Sequence, residues 1–160
     1  EITTDLDTFK ADAACVIPAQ KAGGIAMAAG VNDGDWCPVN PNSMASKADP
    51  NIYVLGDASV AKSMPKSGFS ANSQAKVVAN AVRGELTGSK VFPARYSNTC
   101  WSLIATNDGI KVGASYKAGD SKIDVVSKFV SKNGESAETR KATYEESIDW
   151  YSGMTADMFA

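Results

Sequence analysis

Histidine is absent from all 160 residues of this chain. Ser-His-Asp and Cys-His catalysis and most zinc sites need an imidazole, so none of them can be complete here. Cysteine is scarce: Cys15, Cys37 and Cys100 stand too far apart for a C-x-x-C redox motif, a zinc cluster or a C-x-x-C-H haem attachment. Three is an odd number, which leaves at least one thiol free or paired with a cysteine outside this segment. Charge of one sign is also lacking, with 16 basic residues against 18 acidic ones and no like-charge run. That balance gives no footprint for nucleic acid or an anionic membrane. No stretch approaches the roughly 20 apolar residues that cross a bilayer. The opening Glu1-Ile2-Thr3-Thr4-Asp5 lacks the basic and apolar regions of a signal peptide, so if the protein is exported its signal is expected elsewhere.

What is present is a 44% hydrophobic chain long enough for about one packed domain. Residues 13–17, apolar and bounded by Pro18, read as a buried strand. Residues 20–36 form a Gly- and Ala-rich connector with a short helical piece at 25–29. A short strand is expected at 37–40 and a polar surface loop at 41–50. Residues 51–55 are β-branched and aromatic and stop at Gly56-Asp57, so a strand delivers an acid onto a tight turn. Ser70 is the expected cap of a helix to about Leu86, with Val78, Val82 and Leu86 as its four-residue stripe.

Beyond Pro93, residues 100–105, 110–116 and 123–130 are strand-like runs separated by turn signals, which predicts an antiparallel meander. Residues 131–141 are polar enough for a mobile loop. From Thr143 the apolar Tyr144, Ile148, Tyr151 and Met158 keep near-helical spacing, so an amphipathic helix should end the chain with that stripe buried.

The strand ending in Gly56-Asp57 resembles the second FAD motif of the two-dinucleotide-domain flavoprotein reductases. Glycine lets the backbone approach a cofactor, and the acid accepts a hydrogen bond from a ribityl hydroxyl. Met64-Pro65-Lys66-Ser67-Gly68 and Ser70-Ala71-Asn72-Ser73-Gln74 follow it into the start of a helix. There the macrodipole carries about half a positive charge. Together with Val16-Ile17-Pro18-Ala19-Gln20-Lys21-Ala22-Gly23, Trp36-Cys37-Pro38-Val39, Gly56-Asp57-Ala58-Ser59 and Asn98-Thr99-Cys100, these strings resemble, in order, the flavoprotein subunit of flavocytochrome c sulfide dehydrogenase. Trp150-Tyr151 extends the similarity to the last helix, while residues 115–142 match weakly.

The resemblance implies an α/β plus α+β architecture. Residues 1–92 would be the C-terminal half of an FAD-binding doubly wound domain with its preceding linker. Residues 93–160 would be a small antiparallel-sheet interface domain that covers the flavin and is closed by the terminal helix. Gly56, Asp57, Met64, Pro65, Lys66, Ser67 and Trp150 would line the FAD. Cys100 would be one member of a redox-active disulfide, with its partner cysteine in an N-terminal portion outside this chain. Cys15 and Cys37 read as packing residues. No G-x-G-x-x-G string is present for the FAD pyrophosphate, so the chain is expected to supply only half of the cofactor site.

The implied reaction is two-electron oxidation of sulfide, with electrons passing through FAD to haem c on a partner cytochrome subunit. A periplasmic setting suits both a lasting disulfide and such a cytochrome. The alternatives are a sulfide:quinone reductase-like enzyme, which would want an apolar membrane-docking surface, and an isolated interface or dimerisation domain without cofactor.

Overall fold

A computed structural model describes residues 1–159. The chain opens with a two-residue hairpin, β1 (Ile2–Thr3) with β2 (Thr8–Phe9), followed by a short helix α1 (Gly24–Ala28). A two-residue parallel pair then joins β3 (Cys37–Pro38) to β4 (Ser59–Val60). The longer elements are helix α2 (Gly68–Thr87), the strands β5 (Arg95–Ala105), β6 (Asp108–Ala118) and β7 (Ile123–Val130), and helix α3 (Ala137–Phe159).

The meander forms as its turn signals predict, in the antiparallel order β5-β6-β7. Asn107 takes the left-handed conformation, φ 60°, that the tight β5–β6 turn needs. Asn98 lies opposite Ala114 and Cys100 opposite Val112. Helix α2 packs against β5, and α3 packs mainly against β6.

The cap of α2 is Ser67, not the expected Ser70: its hydroxyl oxygen accepts the Ser70 N–H at 3.1 Å. Two further residues, Gly68 and Phe69, are helical, which places Ser70 inside the first turn and buries it. Gly88 ends the helix in the left-handed region, its N–H donating to the Gly84 carbonyl. The buried face is Ser70, Gln74, Val77, Ala81 and Gly84, spaced by four and three residues. Val78 only borders the core and Leu86 is 80% exposed, so the expected stripe lies about one residue off the packed face.

Three other expectations change. Residues 13–17 form no strand, and Val16 and Ile17 are exposed. A central parallel strand draws its stability from hydrogen-bonded neighbours on both edges, and no described residue pairs with this segment. Residues 41–50 are a packed loop: Met44 is fully buried, the Val54 N–H donates to the Met44 carbonyl, and Ala45 bridges Tyr53. Residues 51–55 are thus extended, with their backbone paired to that loop and the Tyr53 hydroxyl donating to the Glu85 carboxylate of α2 at 2.8 Å. At residues 131–141 order replaces the expected mobile loop, since the Ser136 hydroxyl accepts the Thr139 N–H at 3.2 Å and α3 starts at Ala137.

The main core interleaves Val39, Met44, Ala61, Met64 and Val77 with Ala94, Tyr96, Ala114, Tyr116 and Ile123. The Tyr96 hydroxyl donates to the Pro41 carbonyl at 2.6 Å, tying the packed loop to the sheet. Helix α3 is held to β6 by the ion pairs Arg140–Asp108 and Lys111–Glu146. Gly109 admits the helix backbone, because a Cβ there would lie 3.0 Å from the Tyr144 nitrogen. Thr143 is the buried residue of α3, with Tyr144, Ser147 and Trp150 half-buried beside it. Ile148, Tyr151 and Met158 are exposed, so the predicted apolar stripe is not the contact face. The helix seats its Thr143–Ser147–Trp150 ridge on the sheet instead.

Candidate functional site

Gly56 begins a single 3-10 turn, Gly56–Ala58, with φ 70°. That conformation suits a residue without Cβ. Its N–H donates to the Gln74 side-chain carbonyl at 2.7 Å, and the Gln74 amide faces the Met64 sulfur at 3.8 Å. Gln74 is 1% exposed, so this buried side chain fastens both the Gly-Asp turn and the Met64 loop to α2. The Ser59 hydroxyl closes the turn onto the Gly56 carbonyl.

Between that turn and the start of α2 lies a cleft of about 190 Å³, lined among others by Trp36, Gly56, Met64, Pro65, Lys66 and Ser67. The Lys66 ammonium donates to the carbonyls of Asp57 and Ser59 and sits 3.6 Å from the centre of the Trp36 ring. Desolvation there lowers the Lys66 pKa from its usual value, opposed by the charges of Asp57 and Cys37. Cys37 is fully buried in the second core cluster, with its thiol raised by burial and partly offset by Lys66. Asp57 itself is exposed at the turn.

Pro65 lines a second cavity as well, an open groove of about 810 Å³ whose walls include Asn98, Cys100, Val112, Tyr116 and Phe129. Cys100 is exposed on β5. Two residues earlier, Asn98 is 3% exposed and its amide nitrogen lies 3.4 Å from the Cys100 sulfur. Its side-chain oxygen accepts the hydroxyls of Ser67 at 2.5 Å and Ser70 at 3.1 Å. The α2 start and the Cys100 sulfur thus share one side chain. Tyr116, across the groove, has its pKa raised by burial first and then by Cys100.

Residues 92–159, which carry Asn98, Cys100, the meander and α3, match the family described as flavocytochrome c sulphide dehydrogenase, flavin-binding. Over this C-terminal segment the chain is similar to that family. The flavocytochrome c sulphide dehydrogenase match covers Cys100 and Trp150 but not Gly56, Asp57, Met64, Pro65, Lys66 or Ser67, which precede it in the chain.

Trp150 stacks on Phe69, the second residue of α2, with ring centres 5.1 Å apart and planes 13° apart. It also meets Trp101 at 5.6 Å, and Trp101 meets Phe69 at 5.8 Å. Successive residues of a strand face opposite ways, so Trp101 and Trp150 occupy the α3 side of β5 while Cys100 occupies the other. Trp150 therefore reaches the cleft region through Phe69, not through Cys100. The structure gathers Gly56, Met64, Pro65, Lys66 and Ser67 into one cleft, sets Cys100 in the adjoining groove, and keeps Trp150 behind the strand.

Asn98, Gln74, Trp36, Phe69 and Trp101 were not singled out by sequence reasoning. Four of them lie in the motif strings quoted above or in the residue between two of them. Their residue types announce no chemistry; only the hydrogen bonds and ring contacts do. A cleft of about 190 Å³ is smaller than the roughly 300–1,000 Å³ typical of a complete small-molecule site. With a positive-φ glycine, a capped helix N-terminus and a lysine on its rim, it fits one edge of a flavin nucleotide.

Proposed function

We propose that this chain is the C-terminal part of an FAD-dependent sulfide dehydrogenase of the flavocytochrome c type. In this reading residues 1–92 contribute half of the FAD-binding domain and residues 93–160 the interface domain. The observation that carries it is the adjacency, through Pro65, of the cleft at the α2 start to the groove holding Cys100, on a strand within the segment that matches a flavin-binding family.

FAD, when bound, would accept the two electrons of sulfide oxidation and release them to haem c on a cytochrome partner. Gly56 and Asp57 would hold its ribityl side, and Met64, Pro65, Lys66 and Ser67 its ring edge. Trp150, braced on Phe69, would support the helix start behind that edge. Cys100 would form a disulfide with a cysteine outside this chain. Hydrosulfide attacks the partner sulfur, the S–S bond breaks, a persulfide forms on the partner, and Cys100 leaves as a thiolate carrying the electron pair. A disulfide that must persist, together with a c-type cytochrome, favours a periplasmic location.

The test is Cys100→Ser in the complete flavoprotein. Flavin absorbance should be retained while sulfide-dependent bleaching of the flavin is lost. Near-normal sulfide turnover in that variant would overturn the disulfide role.

A further inference from the structure

We propose that Asn98 is a positioning residue for Cys100: its amide N–H is aimed at the Cys100 sulfur and stabilises that sulfur as a thiolate, through an orientation fixed by Ser67 and Ser70. The inference rests on the redox role proposed for Cys100 and adds a residue to it.

The orientation of an asparagine amide is set by its partners. Here both neighbours of the side-chain oxygen are hydroxyls, Ser67 at 2.5 Å and Ser70 at 3.1 Å, and each can donate. A hydroxyl already accepting a backbone N–H, as Ser67 does from Ser70, has its proton free to point at Asn98. The oxygen is therefore held towards α2 and the NH₂ group is turned to the Cys100 sulfur, 3.4 Å away. Asn98 and Ser70 are 3% and 1% exposed, so water does not compete for these positions.

A neutral thiol or a disulfide sulfur is a weak acceptor, whereas a thiolate is a strong one. The same N–H thus does little while the S–S bond is intact and most once it has broken and the electron pair rests on Cys100. That difference eases departure of Cys100 when the partner sulfur is attacked. The other titratable or charged groups facing this sulfur across the groove are Tyr116 on β6, Lys128 on β7 and Lys132 beyond it. The two lysines would also favour a thiolate, and they are unchanged in the variants below.

The decisive variant is Asn98→Asp in the complete flavoprotein. A carboxylate still accepts both serine hydroxyls, so the α2 start stays anchored, but the donor to sulfur is gone and a negative charge takes its place. Asn98→Ala is the second variant, removing the donor without adding charge. The measurement is the rate of iodoacetamide alkylation of the Cys100 peptide against pH in the reduced protein, read by mass spectrometry. The rate at pH 7 should fall roughly tenfold in Asn98→Asp and less in Asn98→Ala, with the profile displaced to higher pH. A profile that coincides with wild type in both variants, with unchanged melting temperature, overturns the proposal. If Cys100→Ser abolishes flavin bleaching while these profiles coincide, the redox role stands and the positioning role alone fails.

Discussion

The Lys66 ammonium lies over the Trp36 ring at 3.6 Å while it donates to the backbone carbonyls of Asp57 and Ser59. The loop after the Gly-Asp turn is therefore pinned by a cation held between an aromatic face and two peptide dipoles. A cation–π contact of this kind contributes about 0.5–2 kcal/mol, more as water is excluded. Trp36 also packs against the cluster around Cys37, so its single replacement mixes two effects. A double-mutant cycle of Trp36→Leu and Lys66→Met, followed by urea denaturation, separates them and should give a coupling of about 1 kcal/mol. Strict additivity of the two single variants would show that the contact adds nothing to stability.

Gly113 on β6 should not tolerate alanine. A Cβ there would lie 2.3 Å from the Asn98 backbone carbonyl oxygen and 2.3 Å from the Phe129 ring. The ring can turn aside, but the carbonyl belongs to the β5 ladder and cannot move without displacing Asn98. Gly113→Ala should cost about 3 kcal/mol in urea denaturation, at the upper end of overpacking costs. Gly153, whose Cβ would meet nothing within 4 Å, is the control. Its replacement by alanine should be neutral or slightly stabilising, because alanine is the better helix former.

Much of this arrangement was legible in the sequence, and the reason differs from element to element. The meander was readable because Asn107-Asp108-Gly109 and the β-branched runs encode turn and strand within a few residues of each other. The span of α2 was readable from the four-residue spacing of Val78, Val82 and Leu86 and from the glycines near its end, but its cap was not, since Ser67 and Ser70 are equally good capping residues. Residues 13–17 misled because an apolar run states only that it prefers burial; whether a neighbouring strand supplies it is a tertiary matter. The stripe on α3 misled for a related reason, as the helix leans on the sheet through Thr143 and Trp150 and leaves Ile148 and Tyr151 outside. Cys100 could be marked by its Asn-Thr-Cys string, yet the link from Asn98 to Ser67 and Ser70 spans about 30 residues of chain and becomes visible only in three dimensions.

Tyr96 makes stability depend on pH in the alkaline range. Burial raises its phenol above the ordinary value near 10, because the phenolate would lose its hydration in the core. Above pH 10 the unfolded chain sheds this proton while the folded chain keeps it. The contribution is thus complete below about pH 10 and is lost as pH rises towards the folded value. Tyr96→Phe should weaken that decline, leaving a residual slope from Tyr116 and Tyr53, whose phenols are also raised. At pH 7 the same variant should lose about 1–2 kcal/mol, since the Pro41 carbonyl forfeits its partner. Thermal melts at pH 7 and pH 10.5 check both signs.

The interleaving of Val39, Met44, Ala61, Met64 and Val77 with Ala94, Tyr96, Ala114, Tyr116 and Ile123 has a consequence for how the chain comes apart. Neither set encloses itself, so the exposed link at Val91 and Phe92 joins two halves of one cooperative unit. Amides in the middle of α2 and of β6 should exchange with solvent through the same opening event. A protease that cuts the link would leave a nicked but associated species, in which the severed pieces hold each other's apolar surface out of water.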